Sequence, residues 1–318
     1  MSSTSIPLSA PAATSLPSSP FAGAAAPEPH QKLLVVLSLV AVYLIWSSTY
    51  LALRFVVQAL PAMLTVGTRF VIAGSVLVVG LRLRGQPWPR GRQLLASVPG
   101  GVLLFVVGNG LVAVAEREVS SGAAALVCAT MPLCAACINA LSGRRPAGRE
   151  WLGMLLGFVG VAVLCLGKDL RAAPGAMAVL LLAPIGWAFG STWARRLPLP
   201  PGLMAAGTQM LMGGLAAVIV ALLHQERFPT VWPLLAMSSL GYLIVFGSLV
   251  AFSAYTYLLG HTRPAVAMSY AYVNPGLAVV LGALIGGEPL QREVVGASVL
   301  IIAGVFLMAL PRRPARTA

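Results

Sequence analysis

The sequence predicts an all-α integral membrane protein: ten transmembrane helices arranged as two inverted five-helix repeats. Three observations carry the prediction. The chain is 58% apolar and only 9% charged, with mean hydropathy +0.89, whereas soluble domains carry roughly 25% charged residues. Ten apolar runs follow one another with short connections, most of them near the twenty or so residues that cross a bilayer core. The third observation is that residues of the first half recur in order in the second, at an offset of 140 to 143.

The elements are justified in turn. Residues 1–32 are rich in Ser, Pro and Ala, with prolines at 7, 11, 17, 20, 27 and 29. Such a tail buries no apolar surface and is expected to be disordered and cytoplasmic. It lacks the basic start and apolar core of a signal peptide, so the first span itself serves as insertion signal. The spans are placed at Leu33–Leu53, Ala62–Leu81, Gln93–Ala115, Ser120–Leu141, Trp151–Gly167, Pro174–Ala194, Met204–Leu223, Trp232–Leu258, Pro264–Ile285 and Val294–Leu310. Residues 33–167 then form the first repeat, 174–310 the second, and 311–318 a short cytoplasmic tail.

A net charge of +13 would point to nucleic acid in a soluble protein. Here the cations sit in short loops, where they set orientation. With the N-terminus inside, fourteen of the 21 Lys and Arg residues fall on cytoplasmic segments and six on the outer side, with Arg69 inside a span. Both termini are therefore expected in the cytoplasm.

The repeat is seen in Pro61, Gly67, Thr68 and Gly74, which recur as Pro201, Gly207, Thr208 and Gly214 at an offset of 140. Ser48-Thr49 recurs as Ser191-Thr192, Pro132 as Pro275, and Arg149-Glu150-x-x-Gly153 as Arg292-Glu293-x-x-Gly296, all at 143. Five spans per copy is an odd number, so the second copy enters from the opposite side. Inverted repeats suit alternating access around a central site.

The stretch Ala267–Pro275 is where that site is expected. Its span carries Ser269, Tyr270, Tyr272 and Asn274 in its first half, with Pro275 inside it. A proline in a helix leaves an earlier carbonyl unpartnered, and in lipid that carbonyl must find protein or water. Pro132 is the corresponding helix break in the first copy. Packing of small and polar residues between helices is the competing reading.

The runs Tyr43-Leu-Ile-Trp-Ser-Ser-Thr-Tyr50, Arg69-Phe70, Val107-Gly-Asn-Gly110, Gly186-Trp-Ala-Phe-Gly-Ser191 and Ser269-Tyr-Ala-Tyr-Val-Asn-Pro275 resemble EamA-type transporters of the drug/metabolite transporter superfamily. The resemblance spans Leu33 to Leu310. It implies a ten-helix bacterial inner-membrane protein, a secondary transporter and exporter of a small organic solute such as an amino acid, metabolite or drug. It also implies a central cavity bounded by spans one, three, four, six, eight and nine. A lipid or lipid-linked-substrate flippase of the same fold is the alternative.

Residue patterns nominate the lining. Trp46, Thr49 and Tyr50 share one helical face of span one. Trp187 and Ser191 do so on span six. Asn109 lies on span three, Thr130 beside Pro132 on span four, Ser248 and Tyr255 on span eight, and Tyr270 and Asn274 on span nine. These residues are expected to bind substrate, although each could be only an interhelical hydrogen bond worth roughly 0.6 kcal/mol. Arg69 lies about 10 Å deep if span two begins outside. An intramembrane cation is a functional candidate; its competing roles are snorkelling, pairing with Glu116 at the same end, or contact with an anionic substrate group. Arg69 and Glu116 are together the charged intramembrane or gating candidates.

Other chemistries find no residues. His30, His224 and His261 lie in the tail and loops, so no serine–histidine dyad forms at membrane depth. No His/Glu cluster is spaced for a metal, and no phosphate-cradling loop is present. The Cys134-x-x-Cys137 pair reads as small packing residues. No enzyme activity and no cofactor is expected. The expected partners are a small-molecule substrate and the bilayer, not nucleic acid, and a homodimer is left open.

Overall fold

Helix starts and stops follow from local chemistry. The computed structural model describes residues 29–141, 143, 148–167, 173–194, 196–262 and 264–309, and every regular element among them is helical. Helix α1, Pro29–Val57, begins with proline in its first turn, where the missing N–H goes unused anyway. It runs four residues past the expected end, so Arg54 stands in its last turn. The expected disordered tail lies outside the described residues except for Pro29–Lys32, which are helical.

Helix α2, Ala62–Leu83, ends in a Schellman cap: Gly85, at φ +86°, donates to the Arg82 carbonyl and Gln86 to that of Leu81. Helix α3, Gly91–Gly101, passes through a π-helical stretch, Val102–Gly110, into α4, Leu111–Ala115. Then come α5, Ser121–Cys128, and α6, Met131–Leu141, separated by a turn at Ala129–Thr130 within one apolar span. Pro132 sits in the first turn of α6, so its missing donor falls at the break itself.

Helices α7, Gly148–Cys165, α8, Pro174–Ala194, and α9, Leu203–Leu223, follow. Helix α9 ends in the same double bond pattern as α2, with Gln225 at φ 58° donating to the Leu222 carbonyl and Glu226 to that of Ala221. Helix α10, Leu234–Tyr242, leads through a second π-helical stretch, Leu243–Val250, into α11, Ala251–His261. The short α12, Pro264–Ala267, turns at Met268–Ser269 into α13, Tyr270–Leu284, and α14 spans Arg292–Ala309.

The break in this ninth segment is thus not at Pro275 but six residues earlier. Pro275 is the sixth residue of α13. A proline's ring and missing donor disturb the turn before it, so the helix starts afresh one turn upstream and continues through the proline.

Among the described residues, seven helices are long and apolar enough to cross a membrane: His30–Val57, Ala62–Leu83, Gly91–Ala115, Ser121–Ile138, Pro174–Ala194, Leu203–Leu223 and Leu234–His261, with Val273–Leu284 a shorter apolar helix. Large apolar side chains such as Val76, Ile219, Val299 and Phe306 stand exposed on the outside of the bundle. Such a surface is stable against lipid and not against water. The chain is a membrane protein.

Glycines set the closest helix approaches. The most extensive pairings are α2 with α9 and α7 with α14. A Cβ on Gly67 would lie 3.1 Å from the Gly214 carbonyl oxygen, and one on Gly74 would lie 2.8 Å from that of Gly207. Close backbone approach of this kind is how helices associate in lipid, where apolar burial supplies no net drive.

Candidate functional site

The helices converge on a cavity of about 90 Å³. At 10–15 Å³ per water this is room for roughly half a dozen waters, or a compact solute. Its wall comes from both halves of the chain. The first half gives Trp46, Thr49, Tyr50 and Leu53 of α1, Arg69 of α2, Asn109 and Val112 of the third segment, and Ala125, Cys128, Ala129, Met131 and Pro132 of α5–α6. The second half gives Trp187 of α8, Phe252 of α11, and Tyr270, Ala271, Asn274 and Pro275 of α13.

Aromatic contacts fix one wall. The Trp46 ring packs edge-on against Phe252 at 5.3 Å and Tyr270 at 4.8 Å, and tilted against Tyr255 at 5.3 Å. The Tyr255 and Tyr270 rings are 5.6 Å apart and perpendicular, the edge-to-face geometry their quadrupoles favour. Trp46 Nε1 donates to the Gly247 carbonyl at 3.2 Å. Its indole nitrogen is therefore committed to protein, and the residue borders the cavity with its ring.

The first π-helical stretch puts Asn109 on the cavity wall, and the second holds Trp46 and Arg69 from behind it. A π-turn shifts carbonyls out of register with their usual donors, a feature common at functional sites. Asn109 Nδ2 donates to the Leu104 carbonyl at 2.9 Å. In the second stretch Gly247 offers its carbonyl to Trp46, and Ser248 Oγ accepts from Arg69 Nε at 2.9 Å. Gly247 also makes room for the guanidinium, since a Cβ there would lie 3.0 Å from Arg69 Nη2. Arg69 is only 4% exposed and its guanidinium carbon stands 4.6 Å from the Phe70 ring centre. Asn274 is buried, and its Oδ1 accepts no hydrogen bond among the described residues.

Of the residues nominated from the sequence, Trp46, Thr49, Tyr50, Asn109, Trp187, Tyr270 and Asn274 line the cavity, as do Arg69, Pro132 and Pro275. Tyr255 and Ser248 stand behind the lining, holding Trp46 and Arg69 in place. Thr130 and Ser191 donate to their own helices, at the Val127 and Trp187 carbonyls, which is how buried hydroxyls are commonly satisfied. Arg69 and Glu116 do not pair: Arg69 reaches across to Ser248, while both Glu116 carboxylate oxygens are buried without a hydrogen bond. Phe252, Cys128 and Met131 were not nominated. Phe252 lies one turn beyond Ser248, and that spacing would have found it.

At the end of α1 the helices are bridged by residues that the sequence pattern does not connect. Arg54 Nε meets Glu288 Oε1 at 3.4 Å and donates through Nη1 to the Val119 carbonyl. Glu288 accepts from the backbone N–H groups of Ser121 at 2.9 Å and Gly122 at 3.3 Å, capping α5 where a helix N-terminus favours negative charge. Gln58 donates to the Arg117 carbonyl at 3.2 Å, and Glu226 accepts from Leu64 N–H at 2.7 Å.

The chain is similar to known proteins over most of its length. The EamA-like transporter family matches residues 33–166 and again 174–310. The chain is 40% identical over 285 residues to the uncharacterized inner membrane transporter YedA of Escherichia coli K12, covering 87% of this chain and 92% of that one. It is 24% identical to the protein PecM of Dickeya dadantii, over 82% of this chain and 86% of that one. A solved crystal structure at 20% identity shares the fold, with a TM-score of 0.58 over 86% of this chain and 95% of its own. A membrane-embedded helical bundle around a central cavity, matched twice along its length by one family, has a plain consequence: the chain belongs to the EamA-like transporter family.

Proposed function

We propose that this protein is a secondary transporter that carries a small organic solute through the central cavity by alternating access, as an exporter of the inner membrane. The observation that carries the reading is the composition of the cavity wall. Pro132 and Pro275, repeat-related in sequence, meet around one space with Trp46 of the first half and Trp187 of the second. Two halves that share a site and can exchange conformations are what alternating access requires.

Several features support the inverted five-helix repeats. The glycine pairs are reciprocal: Gly67 faces Gly214 and Gly74 faces Gly207, while Gly67 and Gly74 correspond to Gly207 and Gly214 in the repeat. Reciprocal contact of this kind is the mark of a two-fold relation. The π-helical stretches begin at Val102 and Leu243, and the two Schellman caps stand at Gly85 and Gln225. With α7 and α14 as the fifth spans and α12–α13 as the ninth, ten spans result. The Lys and Arg distribution favours cytoplasmic termini, and the tied Arg54–Glu288 end is then periplasmic. Export and the inner membrane follow the family resemblance and the name of the Escherichia coli relative.

The test is transport by purified protein in proteoliposomes, screened with radiolabelled amino acids, aromatic carboxylates, nucleosides and cationic drugs. Saturable counterflow is expected for at least one class. Asn109→Ala and Asn274→Ala are expected to cut it about tenfold, roughly one hydrogen bond to a ligand each. Undiminished counterflow in both folded variants sinks the site assignment.

A further inference from the structure

We infer that the cavity selects solutes bearing a carboxylate, held end-on by the Arg69 guanidinium, with an apolar or aromatic body against Trp46, Phe252 and Tyr270. This rests on the transport reading of the same cavity and names its substrate class.

Arg69 is a cation without an anion. Its Nε is used by Ser248, and no other hydrogen bond or ion pair to it exists among the described residues. No Asp or Glu is among the lining residues. Of the carboxylates, Glu288 binds Arg54 and the start of α5, Glu226 caps α2, and Glu116 makes no ion pair among the described residues. A buried charge is costly unless it is paired. This one lines a cavity, and among the described residues its two terminal nitrogens have no hydrogen-bond partner.

Geometry then narrows the anion. With Nε occupied, Nη1 and Nη2 remain as a parallel pair of donors, which matches the two oxygens of a carboxylate. The repeat counterpart of Arg69 is Gln209, which packs against Gly100 of α3 and is absent from the lining. The cavity thus carries a single positive charge, suited to a monoanion and poorly matched to a phosphate dianion. The Asn274 Oδ1, buried and unpartnered in the same wall, asks for an N–H or O–H donor on the solute. The aromatic rings accept the remainder.

Matched ligand pairs test this on the intact, detergent-purified wild-type protein. Thermal stabilisation is titrated with phenylacetate against phenylacetamide, indole-3-acetate against its amide, and phenylalanine against phenylalaninamide. The carboxylate of at least one pair is expected to bind tenfold or more tighter than its amide, since a hydrogen bond to a charged group is lost. Arg69→Gln is expected to erase that preference, and Arg69→Lys to keep part of it. If the amides or cationic drugs bind equally well or better, the carboxylate assignment is overturned while the solute-binding cavity stands. If no solute of either kind binds, both readings fall.

Discussion

Glu116, the first residue past the Gly91–Ala115 helix, is fully buried with neither carboxylate oxygen bonded. Burial pushes its pKa well above the ordinary carboxylate value, the charge of Glu288 adds to the rise, and Arg54 opposes it. The sign of the consequence can be worked out. An acid that binds its proton more tightly when folded makes folding take up protons between the two pKa values, so stability falls as pH rises. The fall begins near the unfolded value of about 4.3 and ends at the raised folded value. Glu116→Gln, which keeps the shape and removes the titration, is expected to flatten that slope. Melting temperatures of both proteins from pH 4 to 9 check it, and parallel curves would show that Glu116 does not titrate in this window. At this scale the sequence was informative wherever one helix settled the matter. Trp46, Thr49 and Tyr50 share a face by spacing alone, and they line the cavity together. Arg69 and Glu116 were legible as buried charges but not as strangers to each other. Their common end of the bundle suggested a pair, whereas the guanidinium is drawn across to the π-helical stretch of the eighth segment.

At the scale of elements, the α2–α9 contact is set by backbone distances that no side chain can relax. A Cβ on Gly74 would lie 2.5 Å from the Leu211 backbone nitrogen. Gly74→Ala is therefore expected to force the helices apart and cost about 1–3 kcal/mol, the usual range for overpacking. Gly80, on the same helix, meets nothing within 4 Å of a built Cβ. Gly80→Ala is expected to be neutral or slightly stabilising, because alanine is the better helix former. Thermal melts of the two variants make the comparison internal, and equal losses would count against the close approach. The glycines of this contact were visible in the sequence because both copies kept them. The matching helix caps were not, since Gln225 replaces Gly85 and adopts a conformation that non-glycine residues rarely take. Nor were the π-helical stretches, which change the hydrogen-bond register without changing the apolar pattern from which spans are read.

On the scale of the whole molecule, the tie at the Arg54–Glu288 end joins elements far apart in the chain. Glu288 of the second half caps α5 of the first, 167 residues away in sequence. No local pattern announces such a bond, because the same Gly-Glu-Pro run reads equally well as an exposed loop. In the proposed alternating-access cycle this end would open while the other closes, and the tie would then favour one of the two states. Removing it should shift the population by the energy of what is lost. An ion pair with one partner 29% and the other 9% exposed, plus two charge-assisted bonds to a helix N-terminus, is worth roughly 2 kcal/mol. That is about a thirtyfold change in the ratio of states. Cys128 lines the cavity and is a free thiol, so it reports on access directly. With Cys134, Cys137 and Cys165 replaced by alanine, Glu288→Ala is expected to raise the labelling of Cys128 by a membrane-impermeant maleimide applied from the periplasmic side at least tenfold. The same reagent applied from the cytoplasmic side should label it more slowly than in the parent. Unchanged labelling from both sides would mean that the Arg54–Glu288 tie does not govern which way the cavity opens, and faster labelling from the cytoplasmic side alone would reverse the assigned orientation.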